Sequence, residues 1–358
     1  MTSQARRTGR SVVGACVLAV ALWPNAPGSG AGPGPQRDNT LYTTGSSTSS
    51  PSNFNPLDPS SYTGAQGLLY EPLFLYDPLK AKLIPWLATA GSWVAPNEYQ
   101  VDVRSGVDWV QSRDASVRGT LSAADVAFSI KLAADDPRDP YHVDAADVKS
   151  VSTRGNTVRV QFASPVAYAQ WQELLWHEPV VPAAEWSKLP LASQLNMPNT
   201  SPVATGPMLL GPVSKKQACY RDNPHWWATA QLKLSFKFAY LCDVVSTSSG
   251  TALSELLNGS VDWSNQLLRG IPSLANGYGI KTYYAAQPYM IPASTVWLQM
   301  NIPKAPMSDV AFRQAVAYAL DPAKLVAGVY SGTVEAANPT GLLPELAPFI
   351  DPATVHKY

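Results

Sequence analysis

The sequence predicts a mixed α/β fold, and three observations carry that prediction. Apolar and polar residues alternate in short runs such as "NEYQVDVR" and "NTVRVQF", the period of a half-buried strand. In "SDVAFRQAVAYALD" the apolar residues recur at i, i+3, i+4 and i+7, the period of a helix. The two kinds of run are interleaved along the chain rather than segregated. With 358 residues, 46% of them hydrophobic, there is core material for two domains or one large composite one. Lys plus Arg equals Asp plus Glu at 26 each, and this balance leaves no basic face for nucleic acid or an anionic membrane. The 32 Pro imply many fixed loops, and 11 Trp with 16 Tyr imply a rich aromatic core or a surface that stacks on a ligand.

The first element is a leader. Arg6, Arg7 and Arg10 precede an uncharged run of thirteen residues, "SVVGACVLAVALW", and a small-residue, proline-rich stretch follows. Such a run falls short of the ~20 residues that span a bilayer, so residues 1–36 read as an export signal and leader, with a small-x-small site at Ser29-Gly30-Ala31. Arg6-Arg7 is a faint twin-arginine signal, and Cys16 leaves a lipid anchor open as the alternative to cleavage. The expected location is outside the cytoplasmic membrane, on its extracellular face or in the periplasm. There Cys219 and Cys242, on segments with the look of neighbouring strands, are either a disulfide or two buried thiols. The four histidines stand far apart and none has zinc-ligand spacing, so no metal or cofactor is expected.

Beyond the leader, "NTLYTTG" (39–45) reads as a first strand and 46–64 as a polar loop. Tyr99, Val101 and Val103 share one face of a strand, and Ser122 with Asp125 makes a capping box for a helix over 121–133. "VKSVSTRGNTVRVQF" is a hairpin turning near Gly155-Asn156. "QACYRDNPHWW" and "LKLSFKFAY" read as two strands about Asn223-Pro224, and 252–264 as a short helix stopped by Gly259 before an extended piece. "TVWLQMN" (295–301) is a further strand. Ser308 caps a helix, and Asp321-Pro322 ends it and opens another.

Eight of these segments, in order, resemble the extracytoplasmic solute-binding proteins of ABC importers, family 5, which includes oligopeptide, dipeptide and nickel binders. They are "YEPLFLYDP", "YQVDVRSGVDWVQSRDASVRGTLSAADVAFSI", "VPAAEW", "ATGPMLL", "YRDNPHWW", "LLNGSVDWS", "WLQMN" and "MSDVAFRQAVAYALD". The departures are Ala204, where the family usually has a glycine, and Met208, where it usually has an aromatic residue. "VDWSNQ", "WHEPVVPAAEW" and "ANPTGLLP" (337–344) resemble more narrowly the branch that binds cello-oligosaccharides. The resemblance implies a two-lobed, type II periplasmic-binding-protein-like fold. The first-lobe core would be discontinuous, 37–55 with 198–266, with 56–197 an inserted subdomain and 267–358 beginning a second lobe that is incomplete. An alternative follows, that the chain is a truncated secreted fragment without function, with apolar helix faces exposed beyond about residue 267. The implied partners are a solute and the permease subunits of an importer with a separate ATPase. The binding protein itself is expected to be a monomer.

A sugar ring offers an apolar C–H face and an edge of hydroxyls, so its site wants aromatic platforms flanked by amides and carboxylates. Trp176, Trp263, Tyr289 and Trp297 are the candidate platforms, with Asn265, Gln266 and Asn301 as hydroxyl partners; Asn53 and Gln66 lie near enough to the first loop to reach the same cleft. An oligopeptide ligand is the runner-up and would want paired charges and a free backbone edge. An enzyme is not expected: no motif pairs Glu71, Glu173, Glu178 or Asp262, and the serine-hydrolase, zinc-protease and phosphate-loop patterns are absent.

Overall fold

The computed structural model describes residues 34–44, 49–77, 80, 82–166, 168–266, 268, 270–286, 289, 296, 298–334, 336 and 351. The leader through residue 33, Trp297 and the segment 337–344 therefore lie outside the described residues.

The sheet that matters for function has five strands, in the order Met208–Val213, Gln217–Asp222, Tyr240–Val244, Thr40–Thr44, Trp263–Ser264. Its first three strands are antiparallel neighbours, whereas Tyr240–Val244, Thr40–Thr44 and Trp263–Ser264 run parallel. Parallel neighbours need a crossover, and the helix Ser249–Leu257 supplies one between Tyr240–Val244 and Trp263–Ser264. The Ser248 hydroxyl caps that helix by accepting from the Thr251 N–H at 3.1 Å, and Gly259, at φ 76°, turns the chain back towards the sheet.

A second, antiparallel sheet has the order Ala88–Ala95, Glu98–Val103, Thr157–Phe162, Val148–Arg154. Its alternation is the one the sequence shows: Tyr99, Val101, Val103, Val158, Val160 and Phe162 are all buried. The helix Ala123–Asp135 starts at the predicted capping box, with the Ser122 N–H donating to the Asp125 carboxylate at 2.8 Å. A three-stranded sheet (Val203–Ala204, Asp108–Gln111, Val117–Thr120) and the hairpin Phe74–Asp77 with Lys82–Pro85 complete the strands. One apolar cluster runs through all this, from Phe54 to Ala228; a smaller one joins Ala252, Leu268, Ile271 and Leu274.

Three sequence expectations need correction. The run 232–240 is not a strand: Trp227–Leu232 is helical, Lys233 ends it in the left-handed region at φ 59°, and the strand begins only at Tyr240. Its period-2 pattern has no sheet neighbour to pair with, and Leu234 and Phe236 stay exposed. Over 298–301 no strand forms. The helix Val310–Ala319 is capped by Asp309, which accepts from the Ala311 N–H at 2.8 Å, and not by Ser308. That helix and its successor Pro322–Val329 bury no residue, leaving Phe312, Tyr318 and Leu325 among the exposed apolar groups. Among the described residues no helix is long and apolar enough to cross a membrane.

Candidate functional site

The parallel strands align three side chains in one row. Asp243 is the register partner of Thr43, and Thr43 of Trp263, so all three lie on the same face near the carboxyl ends of their strands. That end of a parallel sheet is where open α/β folds hold ligands. On the strand Tyr240–Val244, Leu241 and Asp243 face this side while Cys242 alternates to the other. There Cys242 meets its register partner Cys219 in a disulfide, Cα–Cα 4.0 Å.

Facing the row is the turn-rich segment 62–70. Gly64 adopts φ +94°, and a Cβ on it would stand 2.7 Å from the Tyr220 ring, so glycine lets Tyr220 close in and donate its hydroxyl to the Thr63 carbonyl. Row and segment together line an open pocket of about 230 Å³, with Thr43, Gln66, Tyr220, Asp243, Trp263 and Asn265 among the lining residues. Trp263 is 55% exposed, which makes it a platform rather than core.

The backbone under that platform is tightly held. The Arg37 guanidinium grips the Asp262 carboxylate through both terminal nitrogens, at 2.7 and 2.5 Å, and Asp262 also accepts from the Tyr42 N–H at 2.9 Å. Those hydrogen bonds hold the Asp262 carboxyl below the usual range. The Asn265 N–H donates to the Thr44 carbonyl at 3.1 Å. Trp263 and Asn265 are thus presented from a fixed edge strand.

Among the described residues no Lys, Arg or His lines the pocket, and Asp243 is the one carboxylate that does. Its Oδ1 accepts from the Thr43 hydroxyl at 3.0 Å. Burial pushes its carboxyl up to about 6, with the Tyr62 and Thr43 hydroxyls pulling the other way. What the lining can do is stack on an apolar ring face and exchange hydrogen bonds with neutral polar edges.

Of the sequence candidates, Gln66, Trp263 and Asn265 are brought together here. The other described candidates are placed elsewhere. Asn53 serves a turn, donating to Asp58 at 2.7 Å and accepting from the Asn55 N–H at 2.9 Å. Trp176 stacks on Tyr76, ring centroids 5.2 Å apart, and packs against His177. Gln266 reaches the Ser246 carbonyl at 3.4 Å, Tyr289 packs on the smaller apolar cluster, and Asn301 is exposed; none of them lines the pocket. Thr43, Tyr220, Leu241 and Asp243 were missed. Their signal was the charged residue inside "YLCDV", on the face opposite the cysteine.

Comparison with known proteins gives the family. Residues 82–357 match the family model described as bacterial extracellular solute-binding proteins, family 5, middle. The peptide transport periplasmic protein SapA of Salmonella typhimurium is 27% identical over 313 residues, 79% of this chain and 53% of its own length. The nickel-binding periplasmic protein of Escherichia coli is 25% identical over 311 residues, 81% of this chain and 54% of its own. The chain thus spans about half the length of the curated relatives it matches. A periplasmic oligopeptide-binding protein of Thermotoga maritima, solved with mannohexaose bound, superposes at TM-score 0.78 with 36% identity, over 86% of this chain and 56% of that one. The Bacillus subtilis oligopeptide-binding protein AppA, solved with a nonapeptide, shares the fold at TM-score 0.64 and 19% identity, over 82% and 56%.

Proposed function

This chain belongs to family 5 of the bacterial extracellular solute-binding proteins and has their two-lobed periplasmic-binding-protein α/β fold; on that premise we propose that it captures an oligosaccharide outside the membrane for an ABC importer. The observation that carries the ligand class is the exposed Trp263, on a fixed strand and flanked by Gln66 and Asn265, in a pocket whose described lining holds no cation. An indole face takes the C–H side of a sugar ring, and neutral amides satisfy its hydroxyls. The mannohexaose bound to the relative of 36% identity supports the same class.

In this account 37–55 and 198–266 form the first lobe's core, 56–197 its inserted subdomain, and the chain from 267 begins the second lobe. The leader directs export, and permease subunits with a separate ATPase receive the ligand. The ligand stabilises the closed form by binding it better than the open one.

An oligopeptide is the second reading, favoured by the name of the SapA relative. A peptide's terminal carboxylate wants a cation, and the described lining has none. Thermal unfolding of the full chain with cello-, xylo- and manno-oligosaccharides, and separately with tri- and tetrapeptides, decides between them. The expected result is one cooperative transition raised by a sugar class and unmoved by peptides. A midpoint raised by peptides alone would sink the oligosaccharide assignment.

A further inference from the structure

Asp243 has a geometry that its neighbours do not use up. It is only 1% exposed, yet it lines the pocket, and while Oδ1 takes the Thr43 hydroxyl at 3.0 Å, Oδ2 is buried and has no hydrogen-bond partner among the described residues. The Tyr62 hydroxyl stands near enough to draw the carboxyl's pKa down, but the hydrogen bond whose geometry closes is the one to the Asp243 main-chain carbonyl, at 3.3 Å, and it leaves Oδ2 unfilled. A buried acceptor left unfilled is costly, so an occupant that fills it is favoured. One strand, Thr40–Thr44, lies between Asp243 and Trp263 along the row, and the two inter-strand spacings put their backbones about 10 Å apart. A spacing of that order has room for two sugar units side by side, one on the indole and the next at the carboxylate.

Resting on the oligosaccharide reading, we infer that Asp243 is the specificity-determining residue of this pocket, its free Oδ2 accepting a hydrogen bond from a hydroxyl of the sugar unit next to the one stacked on Trp263. A hydroxyl proton is the donor and no proton transfer is required.

The interaction has a pH signature. The ionised carboxylate accepts more strongly than the acid, so the ligand favours the ionised form and lowers the carboxyl's pKa on binding. Affinity is therefore full above the free protein's value of about 6 and is lost as pH falls through it. The titratable groups beside the carboxylate are the hydroxyls of Tyr62, across from it, and Tyr220, on the adjacent strand. Burial raises both well above their ordinary value, so neither changes charge in this range. Thr43 and Trp263, on the remaining strands of the row, carry no charge.

The test is titration calorimetry of the full chain with mannohexaose and with cellopentaose from pH 5 to 8, in buffers of differing ionisation enthalpy. The expectation is proton release near pH 6 on binding and affinity falling by up to roughly tenfold towards pH 5, the ceiling that a single carboxyl titrating near 6 allows. Asp243→Asn is expected to weaken binding at pH 7.5 by a similar factor and to flatten the pH profile. The wild-type proton count tests the inference even if the variant does not fold. Sugar binding without proton release overturns the role of Asp243 while leaving the oligosaccharide assignment standing. If neither sugar binds and a tripeptide binds in an Asp243-dependent way, the carboxylate takes an ammonium and both conclusions fall.

Discussion

Glu71 is the carboxylate on which this core is pinned. It is buried, and four donors converge on it: Trp86 Nε1 at 2.8 Å, Trp226 and Trp227 Nε1 at 3.1 Å each, and the Thr205 hydroxyl at 2.8 Å. Three distant parts of the chain are tied to a fourth through one side chain. Burial still outweighs the donors, and its carboxyl is pushed up from the ordinary 4.5 to about 7. The folded protein therefore keeps a proton that the unfolded chain releases. The associated stability is complete below pH 4.5 and is lost as pH rises to about 7. Glu71→Gln turns an amide N–H₂ towards indole donors, so urea unfolding at pH 5 is expected to show a loss of about 3 kcal/mol. The same variant should show a flatter dependence of stability on pH between 5 and 8. A loss below about 0.5 kcal/mol would mean that the four hydrogen bonds contribute nothing net.

Among the elements, the tightest passage lies where the 64–70 segment crosses Gly206. The Gly206 N–H donates to the Leu69 carbonyl at 2.8 Å, and a Cβ there would sit 2.3 Å from the Leu68 carbonyl oxygen and 2.4 Å from that of Leu69. Backbone cannot move aside as a flexible side chain can. Gly206→Ala is expected to lower stability by about 3 kcal/mol and to displace the pocket wall; denaturant unfolding checks the first and sugar affinity the second. An unchanged midpoint would show that the wall is looser than this geometry. Features set by local chemistry were legible beforehand: the Ser122–Asp125 capping box, the hairpin at Gly155, and the Asp321-Pro322 helix start. The strand forecast over 232–240 failed because period 2 states a preference and not a partner; the sheet pairs Tyr240–Val244 instead. The candidate site divided along the same line. Trp263 and Asn265 stood out by type, whereas Thr43 and Asp243 join them only through a register spanning about two hundred residues of chain. Trp176 carried the right chemistry and is spent on Tyr76.

At the scale of the whole molecule, the site exists because the strand Thr40–Thr44 inserts between Tyr240–Val244 and Trp263–Ser264. The Arg37–Asp262 pair clamps the start of that strand to the platform's own edge. The disulfide fastens the opposite face of the same sheet, which suits an exported protein. What this assembly presents to solvent is one indole with polar neighbours, and the proposed capture of an oligosaccharide depends on it. The most direct measurement is a tryptophan fluorescence titration of the full chain with mannohexaose and cellopentaose, beside Trp263→Phe and Trp263→Ala. The account predicts a saturable change in the wild type, weakened roughly tenfold or more in Trp263→Ala and partly kept in Trp263→Phe, which retains a flat ring. A saturable change of equal affinity in Trp263→Ala, or one produced by a tetrapeptide and by neither sugar, would contradict it.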